Sequence, residues 1–359
     1  MKHVLLFLFL TFSIYSTTNA QEKNEALNYN FSYIGDAMHN FTGGIKTGGT
    51  YVGMANFSLS FDTETAGFWK GGTFFAKAMN LHGESPSDEY IGDYQYASNI
   101  DGGVHTAMME LWYSQTYKDF EFIVGLQDVF NSFGATNNGG LYLNTSFAFI
   151  PTIWTNMPTP CFPLTELGFT FKWDISEHFT WLAAIYDGNP TPFDDNKYNF
   201  KYSLSKDDGA FVISELQYTF GDNEDHPSAV KLGAYNNDMT GVYANMDLHL
   251  YDNASSSLDM FSQVGYCADD DCYADYYAGA GLNYSGVFTD EGTDALGLSF
   301  NFVHFNTLDA SEKVIELTYQ YNIDDHLFIQ PDVQYIMDPR GGIDYDDALA
   351  CFVRFGFSF

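Results

Sequence analysis

From Asn28 to the C-terminus, apolar and polar residues alternate in runs of about ten to fourteen residues, the length a tilted strand needs to cross a lipid bilayer. In VIELTYQYNI, Ile315, Leu317, Tyr319, Tyr321 and Ile323 share one face, leaving Glu316, Thr318, Gln320 and Asn322 on the other. FTFKWD sets Phe169, Phe171 and Trp173 against Lys172, SELQYTF places Glu215, Gln217 and Thr219 together, and IQPDVQY does the same for Gln330, Asp332 and Gln334. MELWYSQTY puts Met109, Leu111, Tyr113 and Tyr117 on the apolar face and Glu110, Trp112, Ser114 and Thr116 opposite. The last segment, FVRFGFSF, aligns Val353, Phe355, Phe357 and Phe359, with Arg354 on the other side. The pattern predicts about sixteen strands, over 28–40, 47–62, 69–82, 104–118, 120–129, 163–175, 178–188, 209–221, 227–237, 240–252, 256–268, 273–286, 294–306, 312–325, 327–339 and 347–359.

The connections sort by parity. The long ones, 83–103, 130–162, 189–208 and 340–346, all fall on one side, while TYKDFE, DISEHF and NIDDHL are tight turns on the other. Strands with one apolar row, one watery row and loops of two lengths predict an all-β fold, a transmembrane antiparallel β-barrel of about 16 strands. The longest connection, residues 131–161, holds Asn137, Asn138, Gly139 and Gly140 for tight turning, then Phe147, Phe149, Trp154 and three prolines. So many apolar groups gain little in open solvent. They favour a constriction loop folded into the barrel over a self-packed outer cap.

Composition agrees with a barrel. Aromatic residues make up 18% of the chain, yet mean hydropathy is only −0.18. Residues 1–20 have a basic start at Lys2, an apolar run and a Thr-Asn-Ala end, the pattern of a signal peptide, which leaves 21–359 as the barrel. The net charge of −33 argues against binding nucleic acid. It fits solvated loops, or alternatively a pore that prefers cations. Of four cysteines, Cys267 and Cys272 bracket ADDD and form a possible disulfide, while Cys351 falls on the apolar row and is expected to be a free buried thiol. No histidine accompanies the close pair, so no metal or cofactor is expected there, and neither ADDD nor DYDD has a full calcium-ligand spacing.

The inward rows supply the candidate chemistry. Sugars present C–H faces to aromatic rings and hydroxyls to carboxylates and amides. Trp112, Trp154 or Tyr235 combined with Glu110, Gln127, Glu215 or Arg354 therefore form a candidate sugar-contact eyelet, with Lys172, Glu316 and Asp332 also lining the lumen. Each aromatic could equally be a girdle or packing residue. Glu110 and Glu316 could equally be structural partners of Lys77, Lys172, Lys231 or Arg354. The chain has no Gly-x-Ser-x-Gly elbow and no His-Glu-x-x-His pair, so it is not expected to be an enzyme.

The stretches GFWKGGTFFAKAMNLHG, EYIGDYQYASNID, MELWYSQTY, VGLQDVFNSFG, LYLNTSFAFIPTI, AAIYDGNP, AFVISELQYTF, KLGAYNN and IELTYQYNIDDHLFIQPDVQYIMDP resemble, in order and spacing, the OprB-type carbohydrate-selective porins of Gram-negative outer membranes. The resemblance runs from about residue 45 to the end. It implies passive diffusion of glucose and other small neutral sugars to the periplasm through a sixteen-stranded barrel with a constricting outer loop. It maps Glu110 and Trp112 to inward positions and Gln127 to the entry of that loop. Expected partners are outer-membrane lipid, lipopolysaccharide, and the barrel assembly machinery that reads a last strand ending in Phe359. The chain departs from the resembling porins in having only Arg340 and Arg354, so the alternative is a general cation-leaning diffusion pore.

Overall fold

A computed structural model describes residues 25–202, 209–221, 227–253, 255–289 and 292–359; the expected signal segment lies outside them. Sixteen strands run Leu27–Thr42 (β1), Gly48–Asp62 (β2), Gly72–Gly83 (β3), His105–Tyr117 (β4), Phe120–Gln127 (β5), Glu166–Asp174 (β6), Phe179–Asp187 (β7) and Ala210–Phe220 (β8). They continue as Ser228–Asn236 (β9), Thr240–Asp252 (β10), Ser257–Cys267 (β11), Ala274–Ser285 (β12), Asp294–Phe305 (β13), Ala310–Asn322 (β14), Leu327–Met337 (β15) and Ala348–Ser358 (β16). Each pairs antiparallel with its neighbours in sequence, and β1 pairs with β16 to close the barrel. Closure removes both edges, so every strand finds backbone partners on two sides.

Period-two patterning decides which way each side chain faces. The outward row is apolar and exposed around the whole circumference, with Phe57, Leu111, Val124, Phe169, Leu216, Leu232, Leu282, Leu317 and Val353 among its members. A continuous exposed apolar band is a surface suited to hydrocarbon rather than water. Pro331 lies on this face opposite Val353, and the free thiol of Cys351 lies half-buried in the same row. One expectation fails. Met109 is buried with Met79, Leu81 and Ala107, because the register shifts between Lys77 opposite Glu110 and Ala78 opposite Met108. The extra residue at this bulge turns Met109 inward, which strict alternation cannot foresee.

The short turns, the start of β1 and the end of β16 lie at one end of the barrel and the long loops at the other. Two of those loops, 84–104 and 128–165, pack against inward-facing strand residues. Loop 128–165 carries two single-turn helices, Thr145–Ala148 (α1) and Pro151–Trp154 (α2). Asn144 caps α1 by accepting from Ser146 N at 3.1 Å, and Pro151 opens α2, where its missing N–H costs nothing. A disulfide joins Cys267 to Cys272 between β11 and β12.

Candidate functional site

Strand carboxylates reach across to the backbone of the loops, and the pairing repeats. Glu316 on β14 accepts from Leu143 N at 2.6 Å and Asn144 N at 3.1 Å. Asp247 on β10 accepts from Asn137 N and Asn138 N at 3.1 and 3.0 Å. Glu215 on β8 accepts from Gly134 N at 2.9 Å and from the Tyr243 hydroxyl at 2.7 Å. Donors complete the set: Lys231 Nζ reaches Ala135 O at 2.8 Å, Gln330 Nε2 reaches Leu141 O at 2.7 Å, and Tyr235 Oη reaches Thr152 O at 2.7 Å. Loop 128–165 therefore lies inside the barrel, held from β8 round to β15. Its buried amides find charged acceptors, and the carboxylates find donors without needing cations.

Between these anchors the wall is bare. Gly265, Gly281 and Gly297 face the loop from β11, β12 and β13, and an added Cβ would lie 2.4 Å from Thr152 Oγ1, 2.9 Å from Tyr142 Oη and 2.9 Å from Leu141 Cδ2, respectively. Only glycine lets the loop lie this close. Gly265→Val is expected to push α2 off the wall and destabilise the protein by about 1–3 kcal/mol, read as a lower midpoint for loss of folded electrophoretic mobility on heating.

The second loop is clamped at the closing seam. Asp36 on β1 and Arg354 on β16 are register partners, both buried, and form two charge-assisted bonds of 2.7 and 2.8 Å. Ser98 Oγ donates to Asp36 Oδ2 at 2.6 Å, and Arg354 Nη2 donates to Asn99 Oδ1 at 2.8 Å. Loop 84–104 is thereby tied to the seam, and it is tied in turn to loop 128–165 through Asn99 N on Leu143 O at 2.7 Å and Thr145 N on Tyr96 O at 3.0 Å.

Four of the candidate residues thus hold loops: Glu215, Tyr235, Glu316 and Arg354. Asp332 sits beside Glu316, buried, with Oδ1 accepting from Gln334 Nε2 at 3.2 Å. Gln127 spans two strands, donating to Gly168 O at 2.9 Å and accepting from Thr170 at 2.8 Å. Trp154 ends α2 with its ring edge-on to Tyr96 at 6.0 Å. The remaining residues gather on the β3–β6 wall. Trp112 stacks on Phe75 at 4.8 Å and donates from Nε1 to Glu110 Oε2 at 2.9 Å, while Lys77 Nζ lies 3.6 Å from Glu110 Oε1. Lys172 lies 3.3 Å from Asp174 and opposite Glu121 in register. Trp112, Lys77 and Lys172 stay partly accessible, and among the described residues no loop backbone caps the Glu110 carboxylate. This wall offers an aromatic face, a carboxylate and ammonium groups within one patch.

Sequence reasoning missed Asp36, Ser98 and Asn99 as a clamp. Their one visible signal was the inward parity shared by Asp36 and Arg354.

A family model described as carbohydrate-selective porin, OprB family, matches residues 46–239 and 234–359. The chain belongs to this family. Porin B of Pseudomonas aeruginosa is 23% identical over 398 residues, covering 91% of this chain and 86% of that protein. The high-pH structure of Pseudomonas putida OprB superposes with a TM-score of 0.83 at 17% identity, covering 93% of this chain and 94% of the other. The low-pH structure of the same protein gives 0.64 at 16% identity, covering 93% of each chain. A loop L8 deletion mutant of OmpT, an outer membrane protein of Vibrio cholerae, gives 0.55 at 11% identity, covering 93% of this chain and all of that one. These likenesses share the barrel architecture. The OprB family and its fold are those of channel proteins, not enzymes, and sugar-selective porins of this kind belong to Gram-negative outer membranes.

Burial explains the titration of the loop acids. It pushes the Asp101 carboxyl up to about 6 and the Asp128 carboxyl up to about 7, although Ser85 and the Phe130 and Phe162 amides oppose the shifts. An unfolded Asp titrates near 3.9, so between about pH 4 and 7 the packed loops bind more protons than unpacked ones, and their stability falls as pH rises through that window. Open-channel current fluctuations are therefore expected to be larger at pH 8.5 than at pH 5. The reverse order contradicts this.

Proposed function

We propose that this OprB-family chain is an outer-membrane pore for passive diffusion of small neutral sugars, glucose among them, into the periplasm. The observation that carries the reading is the patch on β3 and β4. Trp112, backed by Phe75, offers a ring face for sugar C–H groups, while Glu110 and Lys77 beside it accept from and donate to hydroxyls. Loops 84–104 and 128–165 are anchored by side chains of β1 and of β8 to β16, which leaves this patch on β3 and β4 partly accessible to a solute entering from the loop end. Contacts of this kind are weak enough to let a sugar leave again. Gln127, Trp154 and Lys172 are the further candidates for lining the route, Glu215, Tyr235, Glu316 and Arg354 act by fixing the loops, and Asp332 sits beside Glu316 among these anchors.

Export fits the same reading. Residues 1–20 serve as a cleaved signal, the apolar band contacts lipid and lipopolysaccharide, and β16 with Phe359 is what the barrel assembly machinery engages. Single-channel recording of refolded protein tests the pore. Glucose in the bath is expected to interrupt the current in a concentration-dependent way, and Trp112→Ala to weaken that block by roughly tenfold, the ~1–1.5 kcal/mol of a lost aromatic contact. Steady current indifferent to glucose, maltose and a larger oligosaccharide would move the reading to a general acidic diffusion pore. Reversal potentials in a salt gradient would then report its cation preference.

A further inference from the structure

Acids outnumber bases throughout this chain, yet the most accessible charge beside Trp112 is positive. On the β4–β6 wall and at the foot of loop 128–165, three acids are buried and turned towards protein donors. Asp128 accepts from Phe130 N at 3.0 Å and Phe162 N at 3.1 Å, Glu166 accepts from Leu167 N at 2.8 Å, and Glu110 accepts from Trp112 Nε1 at 2.9 Å. The Lys77 ammonium stands 3.6 Å from Glu110 Oε1, beyond hydrogen-bond length. Its side chain is 24% exposed against 6% for Glu110, so its N–H groups remain available to the lumen. The other inward cations serve elsewhere. Lys231 is bound to Ala135 O beneath loop 128–165, and Arg354 is paired with Asp36 at the seam. Lys172 shares a register row with Thr116 and Glu121, four residues nearer the turn end than the row of Trp112, Gly125 and Gly168. That is about 13 Å along the strands at 3.3 Å per residue.

Buried acids still act on the lumen, because a low-dielectric wall screens their field poorly and focuses it into the water beside it. A positive charge set between those acids and the solute cancels that field. Lys77 stands in this position: it is bonded in register opposite Glu110, two residues from the Phe75 and Trp112 pair, and Asp128 lies in the field of both Glu110 and Lys77. We propose that Lys77 sets the charge preference of the pore, its ammonium offsetting the acids of the β4–β6 wall so that the passage beside Trp112 admits neutral solutes and small ions of both signs. An uncancelled charge would hold counterions there, with hydration water that a neutral solute must displace. The inference rests on the pore reading above and not on which sugar passes.

The test uses the full barrel refolded into planar bilayers across a gradient of potassium chloride, without sugar, and reads the reversal potential as a permeability ratio of potassium to chloride. The parent ratio is expected within roughly threefold of one, the bias left by less than one uncancelled unit charge about 6 Å away in water. Lys77→Gln keeps a polar side chain against Glu110 and is expected to raise the ratio by roughly tenfold, about threefold for each ion sign. Lys77→Glu should raise it further, and Lys77→Arg should keep the parent ratio. Lys172→Gln removes the same charge farther from Trp112 and should shift the ratio less. Loss of folded electrophoretic mobility on heating shows that each variant has formed the barrel. Equal ratios in the parent and Lys77→Gln would overturn the inference, as would equal shifts in Lys77→Gln and Lys172→Gln, which would report total charge rather than position. Conductance that ignores Lys77 leaves the pore reading standing, whereas a parent protein with no conductance overturns both.

Discussion

Replacing Arg354 with methionine is expected to destabilise the protein by about 3–5 kcal/mol, because it strands the buried Asp36 carboxylate without a partner. Two consequences are separable. The β1–β16 seam loses its one buried ion pair among the described residues, and loop 84–104 loses Arg354 as donor to Asn99 and Asp36 as a rigid acceptor for Ser98. The midpoint for loss of folded mobility on heating should drop, and open-channel current should become noisy as the loop detaches. Pairing the change with Asp36→Asn should restore much of the stability, since a neutral side chain has no charge to strand. The loop should stay loose. If the single variant melts with the parent protein and the double variant is no better, the clamp is not what holds the seam.

Glu316→Leu carries the next largest effect. It leaves the buried Leu143 and Asn144 amides unpaired, at about 1–3 kcal/mol each. Loop 128–165 would then be released at its middle, beside the Gln330 bond to Leu141 O, while the Asp247 and Glu215 anchors still hold its first turn. Single-channel conductance is expected to rise, and block by glucose to weaken, because the loop no longer crowds solute towards Trp112. An unchanged conductance would mean that this anchor does not shape the pore. Glu316→Gln keeps one acceptor oxygen and should lie between the two.

The barrel itself was legible because its chemistry is local. Alternation in stretches such as VIELTYQYNI and FVRFGFSF states which side meets lipid, and every strand range came within a few residues of its observed limits. Loop parity gave the two ends. What escaped was whatever depends on distant partners. Met109 faces inward because of a bulge that β3 and β4 set jointly. The Asp36 and Arg354 pair spans 318 residues and exists only because the barrel closes. The role of the acids was also hidden. Among the described residues, fourteen Asp and Glu side chains are buried against only Lys231 and Arg354 of the Lys and Arg side chains. Several of these acids hold loop amides rather than tuning ion preference, so −33 overstates the charge free to act on a solute. Glu110 and Trp112 were readable as inward neighbours, whereas their support by Phe75 and Lys77 needed the third dimension.

The most direct measurement is liposome swelling with the refolded protein, comparing glucose, maltose and a larger neutral oligosaccharide in the parent protein and in Trp112→Ala. A loop-filled barrel with a sugar-contacting wall predicts fast swelling in glucose, slower swelling as the solute lengthens, and a change in that ranking when Trp112 is removed. Liposomes that do not swell in glucose at all, or that swell equally for every sugar in both proteins, would contradict it.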